Sequence, residues 1–261
     1  MGIVAGSDGT VGKALDVLDA VAAYGRPVRF SDLLGQSTYP RATLYRFLQT
    51  LTNQGMLAYN DETGTYSLGI RLVRLAHAAW STSSLAPIAR PFLDRLSAET
   101  GETIHLAQMD HGQVLYVDKR NAAKPVEMFS SAGKVGPAYC TGVGKAILAY
   151  MDGAAQDRVI TQQSFHRFTA QTLDSAEKLR AELGAIRQRG YAFDREEHEP
   201  GIICCAAPII SELGRVIGAI SVTSTTLRTS LAALEAQAPR IQSIAKDIAT
   251  ATESWRFPEQ K

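Results

Sequence analysis

The sequence lacks most of the features that reveal a function through composition. Its 261 residues include three cysteines, one at Cys140 and an adjacent pair at Cys204 and Cys205. That usage gives neither a paired framework nor a CxxC spacing, so it argues against a disulfide-stapled fold and for free thiols in a reducing compartment. Charge of one sign is missing too, with 27 Lys and Arg against 26 Asp and Glu. A net charge of +1 exerts no global pull on nucleic acid, so any such surface must come from local clustering of Arg and Lys. No apolar run is long enough to span a bilayer, and the opening "MGIVAGSDGT" has no basic stretch leading into an apolar core. The expectation is a soluble, cytoplasmic protein with no membrane partner.

What is present is enough apolar residue, 45%, to bury a real core, over a length that suits one large domain or a small one plus a medium one. Up to about Ser84 the pattern is helical. "VGKALDVLDAVAAY" places Val11, Ala14, Leu15, Leu18, Val21 and Ala22 on one face of an amphipathic helix, which Gly25 and Pro27 end. "FSDLLGQS" reads as a short helix with Ser31 as its N-cap, though without a capping box. Pro40 then fits a first helical turn, opening "PRATLYRFLQTLTNQG" with Leu44, Phe47, Leu48 and Leu51 inward. The outward face carries Arg41, Ala42, Tyr45, Arg46 and Gln49.

Two short helices joined by a few residues, the second presenting Arg, Tyr and Gln, are how a helix-turn-helix lays its second helix in the major groove. Arg and Gln can read base edges, and both can hold phosphates. "MLAYNDETGTYSLG" follows with strands expected at Met56 to Tyr59 and Thr65 to Leu68 around a turn, which is a wing. With Ser31 and Thr43 these outward residues form the candidate DNA-contacting set. A connecting helix is expected from Ile70 to Trp80, a hinge at Ser81 to Ser84, and closure of the helical pattern by Pro87 and Pro91. The boundary near Ser84 separates domains 1–84 and 85–261.

Beyond it the pattern alternates. "TIHLAQMDHGQVLYVDKR" and "GIICCAAPIISELGRVIGAISVTST" read as hairpins, "CTGVGKAILAYM" and "SAEKLRAELGAIRQRGY" as helices, and a last helix runs from about Arg228 to Ser254. Strand pairs with helices between and after them imply a mostly antiparallel sheet flanked by helices, making the chain an α+β protein of two domains.

Chemistry concentrates in "DREEHEPGIICCAAPI", where an acidic run, read as solvated, turns at Pro200 and Gly201 into an apolar strand. Three readings compete: a metal site from Asp194, Glu196, Glu197 and His198 with Cys204, a cysteine nucleophile served by His105, His111 or His198, or a small-molecule pocket. The metal reading lacks a second ligand cluster, and the nucleophile reading lacks a supporting signature. On a buried strand Cys204 and Cys205 face opposite ways, so only one can see a cavity. "GVGKA" falls short of a phosphate-binding loop, because Tyr139 and Ala146 stand where that motif needs Gly and Ser or Thr.

"VGKALDVLDAV", "YPRATLYRFLQTL", "CTGVGKAILAYM" and above all "GYAFDREEHEPGIICCAAPI" followed by "GAISVTS" resemble the IclR family of bacterial transcriptional regulators, from about Thr10 to Ser254. The resemblance implies an N-terminal winged helix on DNA, a linking helix used in dimerisation, and a C-terminal effector domain of GAF-like architecture. It implies a homodimer or dimer of dimers on a palindromic double-stranded operator, a repressor or activator answering to a small-molecule effector such as an organic acid or aromatic catabolite, with no cofactor, no metal and no catalysis. Carried over by position, the effector pocket falls on Met128, Gly142, Val143, Gly144, Asp194, Cys204, Ser221 and Thr223. Three positions depart from the family pattern: Ala42 and Thr38 stand where Ser and Gly are usual, and Thr223 where Ser is common. The rival reading is an enzyme of the same architecture using Cys204, with the N-terminal segment as an interaction module.

Overall fold

The computed structural model describes residues 9–83 and 85–252, so the expected boundary at Ser84 and the expected end of the last helix at Ser254 lie outside the described residues. The chain divides into two compact units, Met1–Thr82 and Ser83–Lys261.

The first unit runs α1 (Gly9–Ala23), β1 (Val28–Arg29), α2 (Phe30–Gln36), α3 (Arg41–Asn53), β2 (Leu57–Asn60), β3 (Thr65–Leu68) and α4 (Ile70–Ser83). Leu44, Phe47, Leu48 and Leu51 of α3 are all buried, as their spacing requires. The face of α1 differs from expectation. Val17, Leu18 and Val21 are buried with Ala14 packed against them, while Val11 and Leu15 are 72% and 49% exposed and Ala22 is exposed. The true stripe is the i, i+3, i+4, i+7 set starting at Ala14. Ser31 is not an N-cap: α2 begins one residue earlier, Arg29 holds the extended cap position, and the Ser31 hydroxyl meets Asp32 Oδ1 at 3.4 Å. Pro40 is the cap of α3 rather than its first turn, and its carbonyl accepts from the backbone N–H groups of Thr43 and Leu44.

The two wing strands pair antiparallel from Leu57 opposite Leu68 to Asn60 opposite Thr65. A third, unexpected strand joins them, as β1 sets Val28 opposite Tyr66 and Arg29 opposite Thr65. Two residues are too few to show a period of two, which is why the sequence does not reveal it.

The second unit runs α5 (Ala86–Thr100), β4 (Thr103–Asp110), β5 (Gln113–Arg120), β6 (Val135–Pro137), α6 (Gly142–Ala149), α7 (Gly153–Gln162), α8 (Ala176–Arg189), β7 (Ala192–Arg195), β8 (Ile202–Ile210), β9 (Val216–Thr225), α9 (Leu231–Glu235) and α10 (Ala238–Ala251). Its six strands form one antiparallel sheet in the order β6-β5-β4-β9-β8-β7. Helices α6 and α8 pack on one face, and α5 and α10 on the other.

Pro87 opens α5 instead of closing the preceding pattern, and Pro91 lies inside it. A first-turn proline gives up only an N–H that has no helical partner anyway. The β4–β5 hairpin turns on His111 and Gly112, both at positive φ (45° and 78°), the conformation of a two-residue hairpin loop. Ser175 caps α8 by accepting from Lys178 N–H, and Gly190 closes it in the left-handed region. The last helix is two: α9 ends at Glu235, and Pro239 sits in the first turn of α10.

Candidate functional site

Two surfaces carry the candidate residues. On the first unit, Arg41, Ala42, Tyr45, Arg46 and Gln49 are exposed along one side of α3, and Thr43 is half-buried. Ser31 is exposed one helix away. Gln49 Nε2 donates to the Tyr45 hydroxyl at 3.1 Å, linking two of these residues one turn apart.

In the second unit strand order does the assembling. Asp194 lies opposite Cys204, and Cys204 opposite Thr223, giving one row across β7, β8 and β9. Two residues along, and so on the same face, Ser221 lies opposite His105 on β4. The glycines of α6 cover these rows. A Cβ on Gly142 would come within 2.3 Å of Cys204 Sγ, so only glycine lets the start of α6 approach the strand so closely.

A cavity of about 30 Å³ remains between helix and sheet, and its lining includes Gly142, Val143, Asp194, Cys204, Ser221 and Thr223. Two candidates fall outside that lining. Met128 is half-buried in the irregular 121–134 segment, and Gly144 packs on the backbone of Ala138, 2.4 Å from its carbonyl oxygen to a built Cβ. The rest of the lining includes Tyr116, Ser130 and Glu199, which the sequence reading passed over, and His105 and His198, which it named only under the nucleophile and metal readings. His105 was detectable as a single basic side chain inside an apolar strand.

The buried His105 ring is held by hydroxyls: Nε2 lies 2.7 Å from Ser130 Oγ, and Nδ1 3.1 Å from Thr223 Oγ1 and 3.4 Å from Ser221 Oγ. Burial, helped by the Lys119 charge, pushes its pKa down to about 3, so the ring is neutral. Asp194 is shifted the other way. Burial and then the neighbouring Glu197 charge raise it to about 7. Burial also holds the Cys204 thiol well above its ordinary range, the opposite of what a thiolate nucleophile needs.

The acidic run is not solvated. Asp194 and Glu197 are buried, and Glu197 forms an ion pair with Lys145 of α6, whose side chain is fully buried. The run folds back on itself because Glu196 adopts φ 61°, letting Glu197 N–H donate to Asp194 Oδ1 at 2.8 Å. Thr169 and Thr172 hydroxyls donate to the carbonyls of Glu196 and Glu197 at 2.7 and 2.6 Å. Nearer the mouth, the Glu199 carboxylate accepts from Phe129 N–H at 3.0 Å. Among the described residues no group of three or more His, Cys, Asp or Glu is placed to hold a metal ion, and no helix is long and apolar enough to cross a membrane.

A winged helix-turn-helix in one unit and a polar, helix-covered cavity in the other define a transcription factor with its own sensory domain. Comparison with known proteins agrees. The family description "Bacterial transcriptional regulator IclR C-terminal" matches residues 77–250, and "IclR helix-turn-helix domain" matches 10–61. The HTH-type transcriptional regulator KdgR of Dickeya chrysanthemi is 34% identical over 223 residues, covering 85% of this chain and 73% of its own. KdgR of Escherichia coli is 32% identical over 241 residues, 92% of each. The crystal structure of Thermotoga maritima IclR superposes with a TM-score of 0.76 at 25% identity, over 92% of this chain and 97% of that one. The chain belongs to the IclR family of transcriptional regulators. Its relatives are named as transcriptional regulators, and its GAF-like second unit has the family's effector domain fold.

Proposed function

We propose that the protein represses transcription from a palindromic operator and that a small organic molecule, entering the cavity beneath the start of α6, controls its affinity for that DNA. The convergence of six of the eight effector candidates on one buried cavity carries this reading. No Lys or Arg lines the cavity, so an anionic group would rely on the backbone N–H groups at the start of α6, where Thr141 provides no side-chain cap. At about 30 Å³ the space takes roughly two waters, so ligand entry has to enlarge it. The working form is a homodimer or dimer of dimers in the cytoplasm. Ile70 and Val73 of α4, 74% and 62% exposed and one turn apart, supply an apolar patch for self-association.

Assignments on α3 separate by the kind of loss they predict. Arg46→Ala weakens binding to all sequences and flattens the slope of log K against log salt by about one, as loss of a phosphate contact does. Arg41→Ala instead removes about 1–3 kcal/mol of discrimination between bases. Equal losses on operator and random DNA in the Arg41 variant would overturn its role.

The cavity has its own test. Gly142→Ala puts a methyl where Cys204 Sγ lies, so this variant should lose the thermal-shift response to a panel of small organic acids that stabilise the native chain, and should still bind DNA. An undiminished response would place the ligand elsewhere.

A further inference from the structure

We propose that Phe30 is a positioning residue for sequence readout, bracing the outward face of α3 so that Arg41 meets DNA in one orientation. The proposal rests on α3 being the reading helix. The Arg41 guanidinium lies over the Phe30 ring, 5.5 Å from its centroid. The same ring meets Tyr45 edge-on, with centroids 6.1 Å apart and planes at 78°. Tyr45 in turn accepts from Gln49 Nε2 at 3.1 Å. One aromatic ring thus joins three outward residues spaced four apart, at positions that share a face of a helix.

Phe30 itself is anchored. It is the first residue of α2, directly after β1, which the wing strand β3 fixes through Val28 and Arg29. Its remaining surface packs at the edge of the first unit's core. An arginine left free at the start of an exposed helix would sample many rotamers, and fixing it costs side-chain entropy. Stacking on a ring that the fold already holds moves that cost from the moment of binding into folding. The Arg41 and Tyr45 side chains also line an open groove with Tyr59 and Tyr66 of the wing, so the braced face and the wing strands are one continuous surface.

The test uses the full chain, a duplex enriched by the wild type from a randomised library, and a scrambled duplex of equal length. Phe30→Leu keeps an apolar side chain and loses the ring. It should reduce the affinity ratio of enriched to scrambled duplex about two- to fivefold, the equivalent of a cation–π contact at an exposed site, while the chain stays folded with a slightly lowered thermal midpoint. Phe30→Trp should retain the ratio. In an Arg41→Ala background Phe30→Leu should have no further effect on it. An unchanged ratio, an equal loss on both duplexes, or an undiminished effect in the Arg41→Ala background would each overturn the brace. If Arg41→Ala alone left the ratio unchanged, the reading role of Arg41 would fail, and the brace with it.

Discussion

Lys145→Met should lower the stability of the second unit by about 3–5 kcal/mol, the cost of removing one partner of a buried ion pair. Lys145 has no exposed side-chain surface and Glu197 only 3%. Glu197 Oε2 is buried and has no hydrogen-bond partner among the described residues, so the lysine carries most of the compensation for that charge. Met keeps the length and apolar stem of Lys but leaves the carboxylate stranded. Replacing both residues, Lys145→Met with Glu197→Met, should recover most of the loss, because an apolar pair of similar volume is close to neutral. Urea unfolding monitored by circular dichroism measures both. A loss below about 1 kcal/mol in the single variant would mean that water reaches the pair.

Asp194→Asn should change how stability depends on pH. In the folded chain Asp194 titrates at about 7, against an ordinary value of 3.8. Between these values the native state holds a proton that the unfolded chain has lost, so the native aspartate makes stability fall as pH rises. The fall starts near pH 4 and is complete above pH 7. Asparagine still accepts from Glu197 N–H but cannot ionise. Its stability relative to wild type should therefore climb across that window, by about 4 kcal/mol at most, and level off above it. His105 contributes the reverse slope. Its folded pKa of about 3 lies below its ordinary 6.5, so its contribution to stability is lost as pH falls below that value. His105 is common to Asp194→Asn and wild type, so its slope cancels in their difference. A flat difference between Asp194→Asn and wild type from pH 4 to 8 would place the Asp194 carboxyl in water.

Helix α3 was legible because it has one apolar stripe and one polar face. Helix α1 misled because it has two apolar rows that share Leu18 and Val21. Only the packing of the first unit decides that Val17 goes in while Val11 and Leu15 stay out. Strand alternation showed that only one of Cys204 and Cys205 could see a cavity, and the family resemblance assigned Cys204, which Gly142 meets. The acidic run was misread because its partners are remote in sequence. Lys145 is 52 residues away, and Thr172 is 25 from Glu197. One local clue did exist, since a single lysine in the otherwise apolar "GVGKAILA" implies burial with a partner. The His105 hydroxyl cluster depends on β4 lying beside β9, an order that no local pattern encodes.

The most direct test of the account is fluorescence anisotropy of the full chain on labelled DNA from upstream of its own gene, across a salt series, beside scrambled DNA of equal length. The account predicts tighter binding to the upstream DNA, weakening steeply with salt on both, and a preference that falls in Arg41→Ala. Equal and weak binding to both, with no duplex enriched from a genomic library either, would contradict it.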